Sequence, residues 1–474
     1  MNYVKSSVGF RRRSKRSRAR KRRAFALGLL VSLAVFFALL AKHHSASGTL
    51  PPAIVACGGS SCVPGKSKPR LTERSFAAVQ TPALQWSADE RNRLWKGLHG
   101  AFVPAISGAS GWSFAVVDRD GNTIFDERAD RAVAPASVQK LVVAASALDA
   151  LGAAYRFHTM FAAREGIGDD GVLEGDLWLV GSGDPSLQSS DLRNGIGMLA
   201  RSGLRHVDGG VVVDATALTG PELNPHWGAD DDGQDYAAPT SAISVDGDTI
   251  ESREAIGGVE QTVWTPMRGV VRYVASQVNS MLIARGIGPA ARPGAGPAPL
   301  DSLVLWDHRS APLQTLESHM LFVSDNHYAE QLLRTLGEEA TGTPDDAGGI
   351  EAERRFLDRR GIPTPGLKLF DGSGLSSQNR IAAITLARLL AACEPSLYSL
   401  LPLGGRQGTL EDYDFTTALG RVRAKSGHLA DVASLSGYVT TIHHGRVAFA
   451  FLIDGSPGDP DATIVRAVDR LAVF

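Results

Sequence analysis

The order of apolar and polar residues divides the chain into helical and strand-like segments. Apolar positions at helical spacing predict helices in segments 87–102, 134–152, 268–287, 385–394 and 461–472, with two more in 311–337. Alternating positions predict a hairpin over 111–130 and strands over 172–181, 208–215 and, three in succession, 421–455. Strands near both ends can share one sheet only if the middle is an insertion. The pattern therefore predicts an α+β fold whose first domain is discontinuous.

The first 84 residues differ in composition from the remainder. Residues 1–23 are crowded with Lys and Arg and contain no acid, and residues 24–41 carry no charge. Positive charge before an apolar run of this length predicts a membrane-spanning signal anchor, with the body of the chain on the extracytoplasmic side. Cleavage near 45–48, followed by secretion, is the alternative. Residues 42–84 are rich in Gly, Pro and Ser, which predicts a flexible linker.

Charge and cysteine content exclude several classes of function. The 49 Lys and Arg nearly balance the 50 Asp and Glu, but the basic tail leaves the body acidic, so no nucleic-acid partner is expected. Cys57 and Cys62 are close enough to close a small loop, which leaves Cys393 single. No spacing of His, Cys, Asp or Glu indicates a metal site, and no cofactor is expected.

The segment PASVQKLV, residues 135–142, places Ser137 three residues before Lys140 at a predicted helix start. Residues three apart share one helix face, so the hydroxyl and the amine can touch. Apolar surroundings lower the pKa of a lysine, and a neutral lysine can take the proton that makes serine a nucleophile. Taken alone, the pattern is more typical of a capped helix with a solvated lysine.

Two further motifs favour a catalytic role for Ser137 and Lys140 over a capped helix with a solvated lysine. Ser324 and Asn326 lie in an SDN segment where two predicted helices meet, and they offer a hydroxyl and an amide to a substrate peptide bond. Lys425 and Ser426 begin a KSG segment in a predicted strand and suit a carboxylate, while Gly427 allows close backbone approach. Each motif is common by itself. The ordered trio is specific for acyl-transferring serine enzymes.

With these motifs, the segments GSGDPSL (181–187), DGSGLSSQNR (371–380) and AKSGHLADVASLSGYV (424–439) resemble the serine peptidase S13 family of D-alanyl-D-alanine carboxypeptidases, the penicillin-binding protein 4 (DacB-like) group. The likeness covers about 85–474 and implies a penicillin-binding/β-lactamase-like fold of antiparallel sheet and helices. The predicted organisation is a basic tail (1–23), a transmembrane anchor (24–41), a linker (42–84), a serine DD-peptidase domain (85–162 and 266–474) and a reduced inserted domain (163–265).

The resemblance implies four catalytic residues. Ser137 is the acylated nucleophile and Lys140 is its base. Ser324 relays the proton to the leaving amine, and Lys425 pairs with that relay and helps to bind the terminal carboxylate.

The resemblance also implies a substrate-binding set: Asn326, Ser426, Gly427, His428, Asp371 and Ser373. Within it, Ser426 binds the carboxylate, and Asp371 and Ser373 form a wall of the site. The backbone N–H groups of Ser137 and His428 form the oxyanion hole. His428 stands where a small hydroxyl residue is more common, so its side chain is expected to crowd the pocket.

The implied activity is a serine-type D-Ala-D-Ala carboxypeptidase that acts on peptidoglycan stem peptides through an acyl-enzyme and is inhibited by β-lactams. A DD-endopeptidase that cleaves peptide cross-links is the alternative within enzymes, because it uses the same site on a longer substrate. A β-lactamase is disfavoured, since no extra carboxylate is positioned as a deacylating base. An inactive cell-wall-binding module is the alternative from a different class.

Overall fold

The computed structural model describes residues 85–256, 259–456 and 458–474. The predicted tail, anchor and linker, together with Cys57 and Cys62, lie outside these residues. Among the helices in the described ranges, none combines the length and apolar character that crossing a membrane requires.

The described ranges contain both helices and strands along their whole length. The α-helices are α1 (Ala88–Ile106), α2 (Lys140–Leu151), α3 (Ser189–Arg201), α4 (Val270–Ala284), α5 (Leu313–Val323), α6 (Asn326–Thr341), α7 (Asp346–Arg359), α8 (Ala383–Leu397) and α9 (Pro460–Ala472). The strands up to residue 266 are β1 (Gly111–Val117), β2 (Thr123–Glu127), β3 (Ala132–Val133), β4 (His158–Ala163), β5 (Val172–Leu173), β6 (Leu177–Val180), β7 (His206–Val207), β8 (Val211–Asp214), β9 (Thr249–Ile256) and β10 (Val259–Pro266). The later strands are β11 (Gly288–Pro289), β12 (Gly294–Ala295), β13 (Leu303–Arg309), β14 (Ile381–Ala382), β15 (Val422–His428), β16 (Val432–Thr440) and β17 (Arg446–Asp454).

The main sheet joins the two ends of the described chain. Its strand order is β15-β16-β17-β1-β2, and every neighbouring pair is antiparallel. The first strand pairs with the last, with Gly111 opposite Asp454. The middle of the chain is therefore inserted between strands of one sheet, as the sequence pattern predicts.

Helices cover both faces of the main sheet. On β17, Ala448, Ala450 and Leu452 face a core that includes α2, α5 and α8, whereas Phe449 and Phe451 face a core with α1 and α9. Successive side chains of a strand point to opposite faces, so a strand buried on both sides reads as a continuous apolar run. This explains the sequence VAFAFLI in β17.

A second sheet and its own core occupy the middle of the chain. The strand order is β12-β8-β6-β4-β13, and α3 and α4 pack on it. This sheet extends from His158 to Arg309, and thus takes in residues on both sides of the predicted boundaries at 163 and 265. The boundaries themselves stay a prediction. Strands β9 and β10 form a separate two-stranded hairpin whose side chains are mostly exposed.

Local signals end the elements that carry the predicted motifs. Helix α2 follows a short 3₁₀ turn, Ala136–Gln139, and stops at Gly152, whose φ of 82° suits a residue without Cβ. Helix α5 stops at Ser324, and α6 restarts with Asp325 as its N-cap, which accepts a 3.1 Å hydrogen bond from the Tyr328 N–H. The third motif lies on the edge strand β15.

Candidate active site

The first two predicted catalytic groups are in direct contact. Lys140 Nζ lies 2.9 Å from Ser137 Oγ at the start of α2. The lysine side chain is fully buried, while Ser137 is half-buried and reachable from solvent. Lys140 also donates to Asn326 Oδ1 at 2.7 Å and to the Ser373 carbonyl at 2.7 Å. Three acceptors thus hold the amine beside the hydroxyl it is predicted to deprotonate.

Burial determines the protonation of Lys140. Removal of the amine from water lowers its pKa to about 8, although the negative charges of Glu330, Asp371 and Asp325 act in the opposite direction. A lysine with this pKa is neutral in a useful fraction of molecules near neutral pH. It therefore meets the requirement for a general base acting on serine.

The second motif lies at the break between α5 and α6. Ser324 adopts left-handed backbone, with φ 63° and ψ 41°, which turns the chain sharply. Asn326 then accepts from Lys140 through Oδ1 and donates through Nδ2 to the Tyr236 carbonyl at 2.9 Å. The backbone N–H of Ser324 donates to the Met320 carbonyl, whereas its hydroxyl forms no hydrogen bond with the described residues. Ser324 lines a cavity of about 360 Å³ together with Asn326. The structure thus brings Asn326 into contact with the Ser137–Lys140 pair and places Ser324 at the adjoining cavity wall.

Asp371 and Ser373 form the floor beneath Lys140. The carboxylate of fully buried Asp371 accepts hydrogen bonds from Gly374 N (2.9 Å), Ser376 N (2.6 Å), Asn379 Nδ2 (2.8 Å) and Trp227 Nε1 (3.1 Å). These bonds fix the loop so that the Ser373 carbonyl, rather than its hydroxyl, accepts from Lys140. Both residues therefore support Lys140 from below. Among the described residues, neither the Asp371 carboxylate nor the Ser373 hydroxyl forms a hydrogen bond with Ser137.

Glu330 supports the same loop from α6, and the sequence reading did not select it. One of its oxygens accepts from the Ser373 N–H at 2.8 Å, and both accept from the Gly372 N–H at 3.2 Å. Burial, with the nearby charge of Asp371, raises the pKa of Glu330 to about 8. Its position on the buried face of an amphipathic helix, beside Ala329 and Leu333, is the sequence signal that could have identified it.

The third motif forms the opposite wall. Lys425 on β15 is fully buried, and burial, followed by the charge of Lys140, keeps its pKa well below the usual lysine value. Among the described residues, the side-chain amine of Lys425 makes one hydrogen bond, from Nζ to the Ser426 carbonyl at 2.6 Å. Because the charge of Lys140 acts on Lys425, the two amines are close enough to interact electrostatically.

Gly427 lets β15 pass directly beside the nucleophile. A Cβ at this position would lie 2.8 Å from the Ser137 backbone nitrogen and 3.0 Å from the Pro135 carbonyl. The gap between the strand and Ser137 N–H is where the oxyanion hole is predicted. Ser426 Oγ donates to Thr409 Oγ1 at 2.9 Å, so the predicted carboxylate-binding hydroxyl is already oriented by a neighbour.

The ring of His428 is held by α9. Its Nε2 lies 2.9 Å and 3.0 Å from the two carboxylate oxygens of Asp461, and Tyr413 Oη lies 3.5 Å from the same nitrogen. The side chain is about half exposed. Because the ring is held against Asp461, the expected crowding of the pocket by His428 is limited. Asp461 lies 33 residues further along the chain, so the sequence alone did not indicate this contact.

No group of three or more His, Cys, Asp or Glu side chains in the described ranges has the arrangement of a metal site. What the site does contain is a serine hydroxyl in contact with a buried amine, an amide beside it, and a second amine on a closely apposed strand. These parts suit nucleophilic acyl transfer to a substrate with a carboxylate end.

Comparisons with known proteins agree with this geometry. The family model of the D-Ala-D-Ala carboxypeptidase 3 (S13) family matches residues 101–260 and 257–473. A D-alanyl-D-alanine carboxypeptidase of Actinomadura sp. (strain R39) is 29% identical over 449 residues, covering 78% of this chain and 82% of the relative. Carboxypeptidase DacB of Mycolicibacterium smegmatis is 30% identical over 478 residues, covering 94% of each chain.

Solved structures show the same fold. Penicillin-binding protein 4 (dacB) from Haemophilus influenzae matches with a TM-score of 0.71 at 22% identity, over 79% of this chain and 98% of the other. The same protein complexed with a β-lactam matches with a TM-score of 0.66 at 21% identity, over 79% and 98%.

Fold and site together define a serine acyl-transferring enzyme of the penicillin-binding class. The chain belongs to the D-Ala-D-Ala carboxypeptidase 3 (S13) family. The predicted family, the α+β penicillin-binding fold and the serine-type D-Ala-D-Ala carboxypeptidase class are thereby confirmed.

Proposed function

We propose that this enzyme removes the terminal D-Ala from peptidoglycan stem peptides through an acyl-enzyme on Ser137. The observation that carries the assignment is the 2.9 Å contact between Ser137 Oγ and Lys140 Nζ. The fully buried lysine has a pKa lowered to about 8, so its neutral form is accessible.

The first chemical step forms the acyl-enzyme. Neutral Lys140 takes the hydroxyl proton of Ser137 while Oγ bonds to the carbonyl carbon of the penultimate D-Ala. The negative oxygen that forms is stabilised by the backbone N–H groups of Ser137 and His428, beside the gap that Gly427 leaves open. The bond to the last D-Ala then breaks, and its nitrogen takes the proton through Ser324.

The second step releases the product. Water attacks the ester carbonyl, a proton returns to Ser137 Oγ, and the shortened peptide leaves with a new carboxylate. Asn326 keeps its position throughout because it is bonded to Lys140 on one side and to the Tyr236 carbonyl on the other. A β-lactam is attacked at its ring carbonyl in the same way, which forms a stable ester on Ser137.

Carboxylate recognition falls to the strand side. Within the part of the chain that the structure describes, Lys425 Nζ makes one hydrogen bond, to the Ser426 carbonyl, so its remaining hydrogen-bonding capacity is available to the C-terminal carboxylate. Ser426 Oγ and Thr409 Oγ1, 2.9 Å apart, provide hydroxyl groups next to it. This arrangement favours an exopeptidase, because a substrate without a free carboxylate cannot use the additional donors of this buried amine.

Labelling with a fluorescent penicillin tests the assignment. Ser137→Ala should abolish covalent labelling and D-Ala release from a pentapeptide, while the protein stays folded. Ser146→Ala is the matched control, because Ser146 is a buried serine on the helix that follows Ser137, and its hydroxyl has no hydrogen-bond partner among the described residues. Equal labelling of Ser137→Ala and wild type contradicts the nucleophile assignment. A wild-type protein that neither labels nor releases D-Ala would instead support an inactive cell-wall-binding module.

DD-endopeptidase activity is a second candidate. The cavity beside Ser324 and Asn326 shares lining residues with a second cavity of about 640 Å³, which offers room for a longer substrate. Comparing D-Ala release from a pentapeptide with cleavage of a cross-linked peptide dimer separates the two activities.

We also propose that residues 24–41 anchor the enzyme in the cell membrane with its catalytic body outside the cytoplasm. The support is the uncharged 18-residue run after a basic tail. Mass spectrometry of the mature N-terminus tests this, since a start near residue 48 means cleavage and secretion.

A further inference from the structure

Two cavities lie side by side at the second motif and share part of their lining. The inner cavity, of about 360 Å³, includes Ser324 and Asn326. The outer cavity, of about 640 Å³, shares Trp264 and Asp325 with the inner one. A substrate bound at Ser137 can therefore extend past Asn326 and along Trp264 into the outer cavity.

We call the outer cavity the outer groove. The side chains that define it for this argument are Gln188, Trp264, Tyr273, Gln277, His319 and Tyr328. They come from four places in the chain: the start of α3, the hairpin strand β10, helix α4 and the α5–α6 pair. The groove is thus built jointly by the inserted part of the chain and by helices that carry the second motif.

Aromatic rings are presented to solvent along this groove. Trp264 is 44% exposed and Tyr273 is 37% exposed, although large aromatic side chains are usually more deeply buried. The rings of His319 and Tyr328 lie 4.5 Å apart and form a further aromatic surface. Exposed rings next to a catalytic cleft mark a ligand-binding surface.

The polar groups of the groove suit a neutral ligand rich in hydroxyl groups. The amide oxygen Oε1 of Gln277 is buried and has no hydrogen-bond donor in the described protein. A ligand hydroxyl would satisfy it and remove a desolvation cost. The acidic lining residues Asp246, Glu251 and Asp325 face a single titratable base, His319, which disfavours phosphate or other anionic ligands.

We propose that the outer groove binds the glycan portion of peptidoglycan, to which the stem peptide is attached. This rests on the proposed function, because the stem peptide must lie at Ser137. Saccharide rings have an apolar C–H face, which packs on aromatic rings, and a rim of hydroxyl and acetamido groups, which bind amides and carboxylates. In the substrate the lactyl carboxyl of the muramyl sugar is an amide, so the ligand carries no negative charge there.

The stem peptide has a suitable length. Three residues separate the penultimate D-Ala from the sugar, and an extended chain covers about 3.5 Å per residue, or about 10 Å in all. A span of this length is compatible with a stem peptide that follows the inner cavity toward the outer groove, since the two share Trp264 and Asp325. The enzyme would then distinguish glycan-linked stem peptides from free peptides.

Direct binding by calorimetry tests this inference without requiring turnover. The probe is the disaccharide N-acetylglucosamine–N-acetylmuramyl-L-alaninamide, titrated into the full-length protein. The variants are Tyr273→Ala and Gln277→Ala. The matched control is Trp95→Ala, an aromatic residue on α1 that is 44% exposed, against 37% for Tyr273. We expect both groove variants to weaken binding at least about fivefold, and the control to bind as wild type does.

Two results would overturn the inference. One is a wild-type protein that does not bind the disaccharide at millimolar concentration, and the other is equal binding by wild type and both groove variants. A parallel titration with the sugar-free stem tripeptide detects a peptide groove: equal weakening of the tripeptide by Tyr273→Ala also contradicts saccharide recognition. Disaccharide binding without D-Ala release would refute the proposed hydrolase and leave the groove assignment standing.

Discussion

The two walls of the catalytic cleft each contain a fully buried lysine, but the surroundings of the two lysines differ. One wall is formed by helices α2 and α6 and is called the helical wall. There, Lys140 has three hydrogen-bond acceptors, and three carboxylates act on its charge. The other is formed by strand β15 and is called the strand wall. There, Lys425 bonds one backbone carbonyl, and the charge that acts on it is the positive charge of Lys140. Among the described residues, the Lys140 amine thus has three hydrogen-bond acceptors, and the Lys425 amine has one.

This difference explains how one site can contain two similar groups with separate tasks. Lys140 is held in one geometry with a pKa of about 8, which suits proton exchange with Ser137. Lys425 has a pKa held well below the usual value by burial and by Lys140, so it is ready to gain a proton when a carboxylate enters. Substrate binding should therefore be coupled to proton uptake on the strand wall.

Replacement of Lys140 should have the largest effect. Lys140→Met keeps the volume and removes the base, so the rate of acylation by penicillin should fall by about 10³-fold. Stopped-flow or gel measurement of labelling rates checks this. A loss of less than tenfold would show that another group accepts the Ser137 proton.

Replacement of Lys425 should have a smaller and more selective effect. Lys425→Met should reduce kcat/KM for a peptide ending in D-Ala-D-Ala by about 10–100-fold, the equivalent of a hydrogen bond to a charged group. For the corresponding C-terminal amide the same change should have little effect. Equal losses on both substrates would contradict carboxylate recognition by the strand wall.

The pH dependence of acylation should follow the helical wall. The reactive form of Lys140 is neutral, and its pKa is lowered to about 8. The acylation rate should therefore rise with pH, with a midpoint near 8, and fall about tenfold for each pH unit well below it. A rate constant for penicillin acylation that does not change between pH 6 and pH 9 would exclude Lys140 as the base.

Glu330→Gln should move that midpoint. The pKa of Glu330 is raised to about 8, so the residue is partly ionised near the midpoint, and its negative charge then stabilises the Lys140 ammonium. Removal of that charge should lower the Lys140 pKa and shift the rate profile to lower pH. Gln retains an oxygen that can accept from the Gly372 and Ser373 N–H groups, so the loop geometry is preserved. A shift of several tenths of a pH unit is expected from pH-dependent labelling rates.

Glu353→Gln is the matched control for this shift. Glu353 is also fully buried, and its charge is not among those that act on Lys140. Its midpoint should equal that of wild type. An equal shift in both variants would mean that a general structural change, and not the charge of Glu330, moves the profile.

Ser426→Thr should have the smallest effect. The hydroxyl and its bond to Thr409 are kept while one methyl group is added. Values of kcat/KM should stay within about threefold of wild type in the D-Ala release assay. A larger loss would show that the strand wall has no spare volume beside the carboxylate.

Local patterns predicted much of this site. The helix at Lys140–Leu151 and the break at Ser324 follow from apolar spacing and capping residues, both of which act over a few positions. The two-sided burial of β17 follows from its unbroken apolar run. Local patterns therefore suffice to assign each of the three motifs to a helix, a helix break or a strand.

Other parts depend on contacts between distant residues. Glu330 reaches a loop 42 residues further along, and Asp461 fixes His428 across 33 residues. No local pattern records such pairings, and an acidic residue on a helix is usually solvated. The β9–β10 hairpin could have been predicted from local sequence, because Gly257-Gly258 between two short segments is a hairpin signal. It is absent from the predicted strands above.

Gly427 limits how this enzyme could evolve drug resistance. A Cβ there would lie 2.8 Å from the Ser137 nitrogen and 2.5 Å from the Ser434 hydroxyl, beside the proposed oxyanion hole. A β-lactam and a D-Ala peptide need that same space. A substitution that excluded the antibiotic here would exclude the natural substrate as well, so selection for resistance has to act elsewhere in the cleft.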